Sequence, residues 1–250
     1  MKKLFYLFMI STIGLFANEL TPNYSFSNIN LNYLNWNQHS EKDSSKGDYS
    51  YIGLESGMGW NNVDFYGFIN IENPTKSYKN KAPNDLRVSS FFDLDTEIKS
   101  GFKFHIQNFI TKSDTFYAND FVVGFAYKLD TDFGLWFRPF LGLHQTNDTY
   151  YDGLNGYMGG WLFNYNFELL KYKFNIFQWN EIEFERKKSF YLDNNSPIGD
   201  GASWGLNGAI SIWIKLNESI TNGIQYRYAK NKLGHNNYQS GIVYSIKYSF

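Results

Sequence analysis

The stretch that decides the fold is YQSGIVYSIKYSF, residues 238–250. Side chains of an extended strand point alternately to opposite faces. Ile242, Tyr244, Ile246, Tyr248 and Phe250 therefore share one face, and Gln239, Gly241, Ser245, Lys247 and Ser249 share the other. One face is apolar and aromatic, the other polar, and the run ends on an aromatic ring. A soluble sheet can show such alternation, so the rest of the chain has to say which solvent the apolar face meets.

Composition answers that. Phe, Trp and Tyr make up 20% of the chain, yet its mean hydropathy is only −0.44. A barrel in lipid alternates lipid-facing with lumen-facing residues, which keeps hydropathy low while aromatic girdles raise the ring count. The N-terminus carries Lys2 and Lys3, an uncharged apolar run from Leu4 to Phe16, and the small Ala17 before Asn18. This reads as a secretory signal peptide over residues 1–17, followed by one domain over 18–250. The apolar run is too short for a membrane helix, which needs about 20 residues. Removing Lys2 and Lys3 from 23 basic residues, against 24 acidic ones, leaves a mature charge of −3, so no nucleic-acid partner is expected. The absence of Cys excludes disulfides, thiol catalysis and cysteine metal sites.

Working backward from Phe250, alternation and turn residues predict an all-β fold, a transmembrane antiparallel barrel of about 12 strands. The first six run over 25–36, 49–60, 63–71, 88–99, 102–111 and 116–129; the second six over 133–144, 156–167, 172–185, 204–216, 219–228 and 238–250. Short connections at Asn61-Asn62, Ser100-Gly101, Asp130–Asp132, Glu168–Lys171 and Asn217-Glu218 would be periplasmic turns. Long polar connections over 37–48, 72–87, 146–155, 186–203 and 229–237 would be external loops. Gly57, Gly59, Gly159 and Gly160 fall inside strands, which suggests bends or close packing. The expected location is the outer membrane of a Gram-negative bacterium, in contact with its lipid.

The same alternation selects the lumen face, where any function would reside. The third strand turns Asp64, Tyr66 and Phe68 inward, and the fourth Asp93, Asp95 and Glu97, beside Lys103, His105 and Gln107 of the fifth. The seventh offers Trp136, Arg138, Phe140 and His144; the ninth Phe177, Trp179, Glu181 and Glu183; the tenth and eleventh Trp213, Lys215, Gln225 and Arg227. Aromatic faces stack flat rings, and carboxylates and amides accept hydroxyl hydrogen bonds. The substrate-binding candidates are Asp64, Tyr66, Phe68, Asp93, Asp95, Trp136, Arg138, Phe177, Trp179, Glu181 and Arg227. The plain alternative is that opposite charges pair to fill a narrow interior.

Val63-Asp64-Phe65-Tyr66-Gly67-Phe68 resembles the Asp-Phe-Tyr-Gly-aromatic strand of the nucleoside-specific channel-forming outer-membrane proteins, the Tsx-like family. The aromatic and acidic segment around Phe91 to Glu97, the Phe102-Lys103-Phe104 start of the next strand and the terminal aromatic strand are similarly ordered. The resemblance implies a monomeric 12-stranded barrel whose narrow pore passes nucleosides, with Asp64 and Tyr66 in its lining. The strand ending in Phe250 also resembles the recognition signal of the outer-membrane assembly machinery.

The function expected is passive, selective uptake of small solutes, above all nucleosides, with no cofactor, no metal and no catalytic residues. The alternative is a structural or adhesive outer-membrane barrel without a transport substrate. An outer-membrane phospholipase would need a Ser two residues after its His, and His144 is followed by Gln145 and Thr146. General diffusion porins normally have 16 to 18 strands.

Overall fold

The computed structural model describes residues 21–44, 46–78, 85–191 and 200–250. The expected signal peptide, residues 1–17, lies outside the described residues. Among these, β1 spans Tyr24–Trp36, β2 Tyr49–Gly59, β3 Val63–Glu72, β4 Arg87–Lys99, β5 Phe102–Lys112 and β6 Tyr117–Tyr127. A two-residue β7, Leu129–Asp130, precedes β8 (Leu135–Asp148), β9 (Asp152–Leu169), β10 (Tyr172–Phe184), β11 (Gly205–Lys215), β12 (Ile220–Lys230) and β13 (Gln239–Ser249). Two short helices, α1 (Gln38–Ser44) and α2 (Lys188–Tyr191), lie in the external connections.

Each long strand pairs antiparallel with its sequence neighbours, β6 pairs directly with β8, and β13 returns to β1. The result is a closed barrel of 12 long strands, as the alternation predicts. Closure runs from Asn28 opposite Ser249 to Trp36 opposite Gly241. On the inner side of this seam the Ser249 hydroxyl donates to Asn28 Oδ1 at 2.6 Å and the Ser245 hydroxyl to Asn32 Oδ1 at 2.6 Å. The polar face of the terminal strand thus has a specific use, because it hydrogen-bonds the asparagines that alternate with Ile29, Leu31 and Tyr33 along β1.

The opposite faces carry the apolar band. Ile29, Leu31, Leu54, Ile69, Leu141, Ile212, Ile224, Tyr244 and Ile246 are all exposed on the outside of the barrel. Water would not tolerate so large an apolar surface, whereas hydrocarbon requires it. Phe102, Tyr127, Tyr172 and Tyr248 stand near the short-turn rim and Tyr33, Tyr157 and Tyr226 toward the long-loop rim, placing amphipathic rings at the two interfaces.

Two connections differ from the sequence reading. The external loop expected over 146–155 shrinks to residues 149–151, because β8 and β9 continue past the apolar band as a polar hairpin. Asp148 closes it by accepting the backbone N–H groups of Tyr150 and Tyr151 at 2.6 and 2.7 Å, a turn that an Asp side chain builds locally. At the other rim, the turn expected at Asp130–Asp132 is lengthened by β7, and Gly134 takes a left-handed φ of 86° to complete it.

Gly57 and Gly59 face inward, and a Cβ on either would collide with the ring of Phe26 or Tyr24 on β1. Close aromatic packing, rather than a bend, explains them. A charge in the apolar band should be costly: Leu31→Arg is expected to lower barrel stability by about 2–4 kcal/mol, against little change for Leu31→Ile. Reversible urea unfolding in lipid vesicles measures the difference.

Candidate functional site: the barrel lumen

One side of the lumen is filled by the chain's own charges. Asp93 and Asp95 project from β4, His105 from β5 and Arg138 from β8, all of them buried. The Arg138 guanidinium reaches across two intervening strands to both carboxylates, with Nη1 at 3.0 Å from Asp93 Oδ1 and shorter hydrogen bonds to Asp95 and to the other Asp93 oxygen. His105 Nδ1 lies 2.8 Å from Asp95 Oδ1, and its ring packs on Phe140 at 4.8 Å between centroids. Below this cluster Asp64 holds Lys103 and accepts the Tyr24 hydroxyl at 3.0 Å. Beside it Gln107 donates to Glu181 at 2.6 Å, linking β5 to β10.

A second cluster sits toward the external rim. His144 Nε2 is 2.9 Å from Asp120 Oδ1, and the Thr146 hydroxyl donates to the same oxygen at 2.9 Å. Lys232, from the β12–β13 connection, pairs with Glu183 and stands 3.9 Å from Asp120. Asp93, Asp95 and His105, and likewise Asp120, His144 and Glu183, bring three ligand atoms within 4.8 Å of one another, a spacing that a metal ion could use. Each group already embraces a cation of the chain, Arg138 in one and Lys232 in the other. Those cations supply the charge balance that a metal would otherwise provide.

The external connections fold down onto this side. Arg186, fully buried, donates through Nε to Glu183 at 2.6 Å and through Nη1 to the Asn231 carbonyl at 2.8 Å. Asp200 accepts the Gly234 N–H at 2.9 Å and lies 3.4 Å from Arg186; burial nevertheless pushes its carboxyl up to about 6. Asn231, Leu233 and Gly234 all hold left-handed φ, which turns Lys232 inward. Lys46 donates to the Leu233 carbonyl at 2.6 Å, and burial lowers its ammonium to about 8.

Rings line the lumen along the same strands and their neighbours. Phe68 and Phe91 stack at 5.4 Å, Tyr66 meets Phe26, Phe68 and Phe91 at 6.1–6.3 Å, and its hydroxyl donates to Glu55 at 3.2 Å. Lys247 pairs with Glu55 at 2.7 Å and lies 3.9 Å from the centre of the Trp213 ring. Trp136, Phe177 and Trp179 remain half-buried on the inner face.

The sequence-derived candidates therefore separate into groups. All eleven project inward, as the alternation requires. Asp93, Asp95 and Arg138 are drawn together and their hydrogen-bonding capacity is largely taken up. Asp64 and Glu181 also have partners, Lys103 and Gln107. Tyr66 and Phe68 join one aromatic wall; Trp136, Phe177 and Trp179 stand on β8 and β10. Arg227 is apart from all these ion pairs. Tyr24, Phe26 and Glu55 were missed as lining residues, although the Asn/apolar alternation of β1 extends backward to reach Tyr24 and Phe26.

A closed barrel with a lipid-facing outside and a charged, aromatic inside is an outer-membrane channel for the uptake of small solutes. The chain belongs to the family described as nucleoside-specific channel-forming protein, Tsx, whose model matches residues 30–250. It is an outer-membrane protein of the Gram-negative type. Among solved structures it is similar to the porin NanC, with a TM-score of 0.52 at 11% identity over 90% of this chain and 100% of that one, a likeness of fold alone. The KdgM porin aligns with a TM-score of 0.49 at 10% identity over 89% of this chain and 99% of that one.

Removing one partner of a buried ion pair leaves an uncompensated charge. Arg138→Met is expected to destabilise the barrel by about 3–5 kcal/mol, and adding Asp93→Asn and Asp95→Asn should restore part of that loss. Urea unfolding of the single and triple variants in vesicles tests this.

Proposed function

We propose that the solutes admitted by this channel are nucleosides, taken up passively and down their gradient. The observation that carries the reading is the pairing of half-buried rings with hydrogen-bonding groups inside a lumen where Asp64, Asp93, Asp95, Glu183 and Arg138 are ion-paired in place. Phe177 and Trp179 on β10, Trp136 on β8 and the Tyr66–Phe68–Phe91 wall offer flat apolar faces. Glu181, Glu55 and Asn70 lie on the same inner faces and can accept or donate to sugar hydroxyls. A nucleoside is neutral, flat at one end and hydroxyl-rich at the other, which matches this lining. Several weak sites in series allow capture without trapping. Membership of a family described as nucleoside-specific supports the same substrate class.

The channel acts without catalysing a reaction. His144, the histidine nearest the external rim of β8, is held by Asp120 and Thr146 inside the lumen, and no serine follows it at the spacing a phospholipase uses. One chain closes its own barrel, so a second copy is not needed to complete the pore, and we propose that it works as a monomer whose terminal strand with Phe250 serves as the signal for the outer-membrane assembly machinery.

In planar bilayers, adenosine and thymidine should produce saturable, partial block of the single-channel current, and simple sugars should not. Trp179→Ala is expected to weaken that block by about tenfold with the barrel still folded, a stacking loss of the usual size. Conductance insensitive to every nucleoside would overturn the reading.

A further inference from the structure

Arg227 differs from every other arginine inside this barrel. Arg138 grips Asp93 and Asp95, Arg186 grips Glu183, and Arg87 pairs with Glu72 at 2.9 Å. Among the described residues no carboxylate lies within ion-pair distance of Arg227, which sets it apart, and its Nε, like those of Arg87 and Arg138, is buried without a hydrogen-bond partner. The local sequence explains why. Its lateral neighbours in the barrel are Ala209 on β11 and Gly241 on β13, neither of which has a side-chain acceptor. The nearby acids are committed elsewhere: Glu72 to Arg87, Glu55 to Lys247 at 2.7 Å, and Asp200 to Arg186 at 3.4 Å.

Other features gather around this guanidinium at the external end of the lumen. Lys46 stands at the same end: its ammonium meets the Leu233 carbonyl and the face of Trp36, 6.0 Å from the ring centre, and Trp36 pairs with Gly241, the β13 neighbour of Arg227. Among the described residues Lys46 also has no carboxylate within ion-pair distance, the acid that acts on it, Asp200, being paired with Arg186. Tyr49 and Tyr51, their rings 6.0 Å apart, pack against the same cluster of Leu34, Trp36 and Val243, and Arg87 covers the Tyr49 ring at 5.4 Å. Two cations without an ion-paired carboxylate among the described residues thus share this end of the lumen with Trp36, Tyr49 and Tyr51. A guanidinium presents five donors in a planar fork that matches an oxyanion, and a buried N–H such as the Arg227 Nε is costly to leave without an acceptor.

We propose that Arg227 and Lys46 form an anion-capture site in the outer part of the channel, taking the phosphate monoester or carboxylate of a solute whose planar ring rests on Tyr49 and Tyr51. The site goes beyond the passage of neutral nucleosides and does not depend on it. It concentrates ring-bearing anions at the mouth, where an unpaired cation raises local occupancy before the aromatic path begins.

The test compares charged and neutral members of two pairs as blockers added from the external side of single channels: adenosine 5′-monophosphate with adenosine, and benzoate with benzamide. The anionic member of at least one pair should bind about tenfold more tightly than its neutral partner, an advantage that charge-assisted hydrogen bonds supply. The pair that responds tells phosphate from carboxylate. In R227Q the ratio should fall to about one, R227K should keep part of it, and K46Q should reduce it. R227Q should also shift the reversal potential in a KCl gradient toward cation preference. Heat-modifiable migration confirms that each variant is folded. The site is overturned if neither pair shows an anionic advantage, or if that advantage survives both R227Q and K46Q. Adenosine block without any gain from the phosphate would sink this site and leave the nucleoside reading standing. Tight binding of the monophosphate with no effect of adenosine would do the reverse.

Discussion

Inside hydrocarbon no water is available to satisfy a backbone N–H or C=O, and the pairing of β1 with β13 is what meets that demand for the whole chain. An open sheet of the same strands would present two unpaired edges to lipid. Once the ladder closes, every long strand has two neighbours, every side chain is assigned to lipid or lumen, and the lumen acquires a fixed cross-section. The Asn28–Ser249 and Asn32–Ser245 hydrogen bonds reinforce that seam from within, and Lys247 extends it to Glu55 on β2.

A narrow lumen then imposes a second constraint, because charges placed inside it cannot all be hydrated. The chain answers by balancing them across strands. Arg138 neutralises two aspartates from three strands away, Lys232 enters from an external connection to meet Glu183, and Arg186 ties that connection to the wall. These pairs fill part of the lumen and leave rings of the same strands exposed to the rest of it. The residues that look most like a site by charge alone are mostly paired with one another or with neighbouring lumen residues. The rings, and the Arg227 guanidinium that has no ion pair among the described residues, retain free chemistry.

The external connections contribute more than a polar fringe. Left-handed backbone at Asn231, Leu233 and Gly234 bends the last of them inward, and Asp200, Lys46 and Gln239 hold it there. Such conformations persist only where surrounding bonds over-determine them. The connection between β8 and β9, by contrast, is hardly a loop at all, since a single Asp side chain closes the hairpin.

Much of the architecture was legible in the residues themselves. Alternation from Phe250 backward sorts side chains between two faces with a period of two, and a one-residue error would have put Lys247 or Asp93 into lipid; this is why strand number, orientation and the inward list could be read directly. Turn chemistry located most connections but not the length of the one over 146–155, because polar residues on a strand that leaves the membrane look the same as a loop. What only the tertiary structure decided is which inward residues meet. Arg138 and Asp93 are 45 positions apart and Lys232 and Glu183 are further still, and strand alternation carries no information about distance around a barrel. The seam, the neutralised clusters and the isolation of Arg227 between Ala209 and Gly241 all follow from closure, which brings together residues that the one-dimensional pattern can only assign to the same side.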